Sequence, residues 1–325
     1  MEGLERVRDE LGGPAVVDRL VALSGSDFTT LMLEVARRRA ARETPASVLR
    51  RYQSDRFTRP SAISWRALRR AEDALLSCLA DDVELVTLAP LVPLATHSAL
   101  DTVSQDKVVT AIRASEVAAD PTNALALEAA SRRALGGDGF VRLAGVQRVV
   151  RAQRFPAGSY PHFSLLGLVT AGRDTGSLRF EVAALGEHLR FAIDGLRAAA
   201  EASPGTAAGA SPGTVAGASR VQVAVTPLSD AGLRIEAQVV SSLAGAAAAA
   251  EFVTDDARQA GRGYYRDVCF KVNVYDNGEF VEIGDGGFTD WTAKLTSNAK
   301  ERLLISGYGL DRLAMFGHEG GNGHD

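Results

Sequence analysis

Apolar residues recur at helical spacing through the first part of the chain. Leu20, Val21, Leu23, Leu31, Leu33 and Val35 mark a helical preface, with Ser26 and Asp27 as N-cap candidates before FTTLMLEVARRRAARE, so residues 1–59 read as an N-terminal helical extension. After Pro60 and Ser61, the positions Ile63, Leu68, Ala71, Leu75, Leu76 and Leu79 predict a second helix over about 62–80, closed by Asp81 and Asp82. The run VELVTLAP predicts a strand over 83–90, with Pro90 and Pro93 at its exit. Asp120-Pro121-Thr122-Asn123 opens an Ala/Leu-rich helix, for which Asp120 or Thr122 is an N-cap.

The pattern then shortens to strand alternation. VRLAGVQRVVRAQRF (141–155), the loop PAGSYPH and FSLLGLVTAG (163–172) predict a hairpin, and 181–201 predicts a helix. VQVAVTPL (221–228) and LRIEAQVVS (233–241) read as strands, and 244–258 reads as an Ala-rich helix. In the segment that follows, Asp276-Asn277-Gly278 is a hairpin signal and Gly284-Asp285-Gly286-Gly287 reads as a second turn. Near the end, GYGLDRLAMF (307–316) reads as a Gly-rich turn opening an amphipathic helix that carries Arg312.

Two segments cannot pack. Residues 202–217 hold an imperfect tandem octapeptide, ASPGTAAG and ASPGTVAG, which buries too little surface to offset the entropy of ordering and so reads as a flexible insert. The tail 317–325 reads as disordered, so its His318 and His324 do not suggest a metal site.

Composition narrows the classes. With 46% hydrophobic residues, 325 residues can bury a core, and a net charge of -4 from 36 Lys+Arg and 40 Asp+Glu leaves no global basic footprint. The arginines at 37, 38, 39, 42, 50, 51, 56 and 59 suit an RNA backbone, an acidic partner face or simply solvent. Cys78 and Cys269 form neither a disulfide framework nor a zinc pattern. No membrane span or signal peptide is expected, and a reducing cytoplasm is the simplest setting.

Several residues carry candidate chemistry. Asp120 and Thr122 either cap their helix or receive a substrate ammonium or hydroxyl. Arginines on a strand, Arg148, Arg151 and Arg154, lie close in sequence to loop and strand-start aromatics, Tyr160 and Phe163, an arrangement suited to clamping a phosphate and stacking an adenine.

Together these segments resemble the catalytic core of class II aminoacyl-tRNA synthetases, most closely the histidyl branch, over about residues 60–316. GYGLDRLAMF resembles motif 3, whose arginine, here Arg312, binds the γ-phosphate of ATP. VVRAQRFPAGSYPHF (149–163) resembles motif 2, with Arg151 as the α-phosphate arginine, Gln153 at the position of its acidic residue and Phe163 as the adenine-stacking ring. Residues 62–90 resemble motif 1, the dimer element. GRGYYRDVCF (261–270) resembles the branch's tyrosine-pair strand with Tyr264 and Tyr265, and GDGGFTDW (284–291) its double-glycine turn with Gly286 and Gly287. The resemblance implies an α+β fold, a mostly antiparallel sheet flanked by helices, binding ATP with Mg2+, for which Glu282 and Asp285 are candidate contacts although no metal ligand is assigned. It also implies a homodimer in which Arg151 stabilises charge at the α-phosphate and Arg312 orients pyrophosphate.

The departures from the family pattern are specific. Its motif 2 acid is Gln153, its substrate-facing Gln and Glu fall on Leu165 and Val169, its histidine-specific arginine falls on Ala260, and its Arg-Tyr after the double glycine is Phe288-Thr289. Each missing polar partner costs roughly 1–3 kcal/mol, so histidine is not the expected substrate. The chain stops nine residues after Phe316, which leaves no expected anticodon-binding domain. The resemblance therefore implies a stand-alone paralogue that adenylates a small carboxylic or amino acid other than histidine and passes the acyl group to an amine, a carrier or a tRNA-like acceptor. The alternative is a non-catalytic regulatory subunit resembling that of ATP phosphoribosyltransferase, acting on a partner enzyme. A structural dimer with a degenerate site is the third reading.

Overall fold

The computed structural model describes residues 2–101, 103–137, 139–155, 160–202, 221–243, 250–276 and 279–315. The repeat residues 203–217, the turn residues Asn277 and Gly278, Phe316 and the tail 317–325 lie outside the described residues.

Four helices form the N-terminal extension: α1 (Glu2–Glu10), α2 (Ala15–Val21), α3 (Gly25–Ala40) and α4 (Pro45–Ser54). Ser24, rather than Ser26 or Asp27, caps α3, because only its hydroxyl precedes the helix and accepts from the Asp27 N–H at 3.1 Å. Thr44 and Ser47 close a reciprocal capping box on α4. No residue of α2, α3 or α4 is buried. The Arg-rich stretch is largely solvated and partly self-neutralised, with Glu34 against Arg37 and Arg38 and Glu43 against Arg51.

Eight strands form the main sheet. In chain order they are β1 (Glu84–Leu85), β5 (Val141–Val150), β6 (His162–Arg173), β7 (Val221–Pro227), β8 (Ala250–Thr254), β9 (Arg266–Asp276), β10 (Glu279–Thr289) and β11 (Glu301–Gly309). They lie in the order β1-β5-β6-β11-β10-β9-β7-β8, antiparallel except for β1 with β5 and β7 with β8. A small second sheet pairs β2 (Leu91–Pro93), β4 (Ser115–Val117) and β3 (Thr110–Ala111).

Helices cover both faces, and strand alternation assigns each residue to one of them. One face carries α5 (Trp65–Leu76), α8 (Arg179–Glu201), α9 (Asp230–Ser242) and α11 (Leu310–Met315), packed on Leu166, Leu168, Phe270, Val272, Leu304 and Tyr308. The other carries α7 (Pro121–Ala134), packed on Leu143, Val169, Ala171, Leu303 and Ile305. Two short helices complete the described set, α6 (Thr96–Leu100) and α10 (Trp291–Leu295). No helix among the described residues is long and apolar enough to cross a membrane.

Several expected elements differ. The strand expected over 83–90 is only Glu84–Leu85, because the chain bends at Pro90 into the second sheet. The strand expected over 233–241 is helix α9, whose buried residues Gly232, Ile235 and Val239 follow helical spacing, with Ser229 as cap. The helix expected over 244–258 is overturned at 250–254, which is strand β8; residues 244–249 lie outside the described set. These two corrections are one event: a parallel pair such as β7 and β8 needs a crossover, and α9 provides it. Finally, Gly284–Gly287 is no turn but the middle of β10, and Gly307 and Gly309 belong to β11, so the anchor segment is a strand that runs directly into α11.

Candidate functional site

On the α7 side of the sheet, the helix start meets the end of β5. Asp120 caps α7, its Oδ1 accepting from the Thr122 N–H at 2.9 Å and the Thr122 hydroxyl at 2.7 Å. The Arg151 guanidinium donates to the Ala119 carbonyl at 3.0 Å and to Asp120 Oδ2 at 3.1 Å, and lies 5.1 Å from the Phe163 ring centroid. Asp120, Thr122, Arg151 and Phe163 are thus one cluster. Thr122 is only 4% exposed and its hydroxyl is used by Asp120, which makes it a helix-start residue rather than a surface one.

Beside this cluster lies a second one. Tyr264 and Tyr265 have ring centroids 4.2 Å apart, and Tyr264 stacks on Trp291. The Tyr265 hydroxyl donates to Asp285 Oδ2 at 3.2 Å, and buried Arg258 donates to the same oxygen at 3.0 Å. Arg258 is held in place by the carbonyls of Ala260 and Phe270, both at 2.8 Å. Burial raises the Asp285 pKa above the usual carboxylate range against the opposing Arg258 charge, and the charges of Glu282 and Asp120 push it the same way as burial. Burial likewise raises the Tyr264 and Tyr265 phenols, so both are neutral donors.

Glu282 and Arg312 close the site at the rim. Arg312 donates to the Glu282 carbonyl at 2.8 Å, and the Glu282 carboxylate pairs with Lys271 at 2.9 Å. Asp311 accepts from the Ser164 N–H at 2.7 Å, which ties the helix start carrying Arg312 to the residue next to Phe163.

Between the clusters the sheet is bare. Gly145, Gly167, Gly307 and Asp285 face one another in register across β5, β6, β11 and β10. A Cβ on Gly145 would meet Leu88, and one on Gly167 would meet Leu125 and Pro121 of α7, whereas one on Gly307 would meet nothing within 4 Å. Gly307 therefore floors an open stretch of sheet. Gly287 is small because the Tyr265 ring lies 2.5 Å from where its Cβ would be. Gly286 points to the opposite face, where its Cβ would meet Phe270 and Ser306, so it stands apart from the cluster. Gln153 joins no side-chain contact there; its backbone carbonyl receives Arg56 of the N-terminal extension.

The departures noted in the sequence have structural counterparts. Val169 is fully buried beneath α7, and Phe288 is 4% exposed in the core under α8, so neither lines the groove. Arg258 and Lys271 are the residues that sequence reasoning undervalued. For Lys271 the signal was the polar pattern Lys271, Asn273 on β9 beside Glu282 and Asp285 on β10, inside strands that otherwise read as core; Arg258 lies between β8 and β9, outside any such pattern. Among the described residues, no three of His, Cys, Asp and Glu gather to hold a metal. Glu282 and Asp285 each face a cation, so neither is a preformed metal ligand.

No protein-family model matches the chain, and no curated protein matches it. Solved structures do. The chain is similar to an ATP phosphoribosyltransferase regulatory subunit/histidyl-tRNA synthetase from Bacillus halodurans, with 14% identity, a TM-score of 0.56, and coverage of 81% of this chain and 84% of that one. It is also similar to the S. aureus histidyl-tRNA synthetase in its apo form, with 13% identity, a TM-score of 0.53, and coverage of 77% of this chain and 65% of that one. The chain has the class II synthetase-like fold. At such identities the likeness is one of fold, and in this class II-like core the α7 face of the sheet carries the convergent polar residues described above.

Proposed function

We propose that the chain is an adenylate-forming class II paralogue that binds ATP and activates a small carboxylic or amino acid other than histidine. The observation that carries this reading is the Arg151 guanidinium, stacked on Phe163 and paired with Asp120 beside the bare floor at Gly307. A planar guanidinium over an aromatic ring is suited to a phosphate next to a base. In this reading the substrate exchanges the Arg151–Asp120 pair for two new ones, its phosphate taking Arg151 and its ammonium taking Asp120. Arg312 turns from the Glu282 carbonyl to the outgoing pyrophosphate. Mg2+, when bound with the nucleotide, would neutralise charge on its phosphates. Arg258 holds Asp285, which with the tyrosine pair forms the acid pocket.

A homodimer through residues 62–90 belongs to this reading. Its support is that Trp65 and Leu85 of that segment remain exposed at 72% and 52%. A reducing intracellular setting and an acyl acceptor of amine, carrier or tRNA-like kind also belong to it.

The test is ATP calorimetry followed by pyrophosphate exchange against a panel of amino and carboxylic acids. Exchange with one compound, abolished in Arg312→Ala at unchanged melting temperature, supports the enzyme; exchange that survives Arg312→Ala refutes the clamp. A second reading, a regulatory subunit acting on a phosphoribosyltransferase, draws on the apolar Leu165 and Val169 and on the B. halodurans neighbour. ATP binding without exchange, together with co-purification of such an enzyme, favours it.

A further inference from the structure

Beside the first turn of α7 lies a buried histidine that the proposed chemistry does not use. His97 of α6 is 1% exposed. Its Nε2 is 3.0 Å from the Ala119 backbone nitrogen, and its Nδ1 is 2.9 Å from Asn123 Oδ1 on α7. A backbone N–H can only donate, so Nε2 is the bare ring nitrogen, and the ring proton sits on Nδ1 and donates to Asn123. The backbone of His97 is fixed in turn by fully buried Glu116 of β4. That carboxylate accepts from the Ala95 and His97 N–H groups at 3.1 and 3.0 Å and from Gln105 Nε2 at 2.7 Å.

The peptide between Ala118 and Ala119 is therefore held on both sides. Its N–H goes to His97, and its carbonyl accepts from the Val150 N–H of β5 at 3.0 Å. The next carbonyl along, that of Ala119, accepts from Arg151 Nε at 3.0 Å, and the next side chain, Asp120, takes another nitrogen of the same guanidinium at 3.1 Å. Two consecutive residues thus aim Arg151, and one imidazole nitrogen fixes the peptide that leads into them. A buried N–H deprived of its acceptor is costly, so without that nitrogen the peptide turns to find another and carries the Ala119 carbonyl with it.

We propose that His97 is a positioning residue for the nucleotide arginine. As the neutral Nδ1–H tautomer it pins the peptide before Ala119, and through Ala119 and Asp120 it sets the direction in which Arg151 meets a phosphate. The inference rests on the adenylate-forming reading for the use of Arg151.

Two substitutions separate this role from support of the fold alone. His97→Gln places an amide group near the position of Nε2 and keeps an acceptor for Ala119. His97→Asn ends near Nδ1, keeps the Asn123 side and leaves the Ala119 N–H bare. Both remove the ring from the same buried place, so both lower the urea midpoint. In 1H–15N spectra of the full chain without nucleotide, the Arg151 Nε–H of the wild type should exchange with water at least about tenfold more slowly than that of exposed Arg42. The protection should persist in His97→Gln and fall about tenfold in His97→Asn. ATP affinity by calorimetry should stay within about threefold of wild type in His97→Gln and weaken at least about tenfold in His97→Asn. Equal Arg151 exchange in the two variants overturns the proposal, as does wild-type exchange as fast as that of Arg42. If neither variant folds, the ring 15N shifts of wild-type His97 carry the test: a bare Nε2 with a protonated Nδ1 is expected, and the opposite tautomer or an imidazolium overturns it. A wild type that binds no ATP refutes the nucleotide reading, and the exchange comparison then decides by itself whether His97 holds Arg151.

Discussion

Replacing Gly307 by alanine should raise stability and weaken nucleotide binding at once. The backbone there is not in the left-handed region, and an added Cβ would meet nothing within 4 Å, so the folded state accepts the methyl group without strain. The unfolded chain loses freedom, which favours folding by roughly 0.5–1 kcal/mol. Gly286→Ala is the control: its Cβ would lie 2.5 Å from the Ile305 carbonyl oxygen and 2.6 Å from Phe270 Cζ. Backbone oxygen cannot rotate aside, so this substitution should cost about 1–3 kcal/mol, the range for overpacking. The two alanines should therefore differ by about 1.5–4 kcal/mol in urea unfolding. In the proposed groove the same Gly307 methyl occupies space meant for the ligand, and ATP affinity by calorimetry should fall at least about tenfold, or about 1.4 kcal/mol. A Gly307→Ala protein that is destabilised by more than about 1 kcal/mol would refute the open floor. One that is stable and binds ATP like the wild type would refute its role as the nucleotide's bed.

Two further outcomes are expected. Arg133 and Glu301 form a bidentate ion pair at 2.8 and 3.0 Å with side chains 2% and 3% exposed, so Arg133→Ala leaves the buried carboxylate with only the longer 3.6 Å contact to half-exposed Arg173 and should cost about 3 kcal/mol in urea unfolding; a loss under about 1 kcal/mol would contradict the burial. His188 is buried between Thr170 and Ser306 with its pKa lowered by burial to about 3, so the unfolded state binds its proton first as pH falls. Its stabilising effect is complete above about pH 6.5 and is lost on the way down to about 3, at about 1.4 kcal/mol per unit. His188→Gln should flatten the urea midpoint between pH 7.5 and 5.5, and a wild-type profile already flat in that range would sink this assignment.

Local chemistry alone made much of this protein legible. Proline and capping residues marked α7, helical spacing marked α5 and α8, and alternation marked β5, β6 and β7, because these signals depend on near neighbours. The linear order of the glycine, arginine and tyrosine segments was enough to suggest the fold, which the solved class II-like structures support. Tertiary structure decided what near neighbours could not. LRIEAQVVS fits either period, and it became α9 because β7 and β8 lie parallel and need a crossover. Gly284, Gly286 and Gly287 look like a turn in one dimension, but neighbouring strands crowd them on both faces of the sheet. Asp285 meets Arg258 from 27 residues away, and Arg133 meets Glu301 from 168 away. Such pairings are visible only after the chain has folded, because long-range burial, and no local preference, makes a charge require its partner.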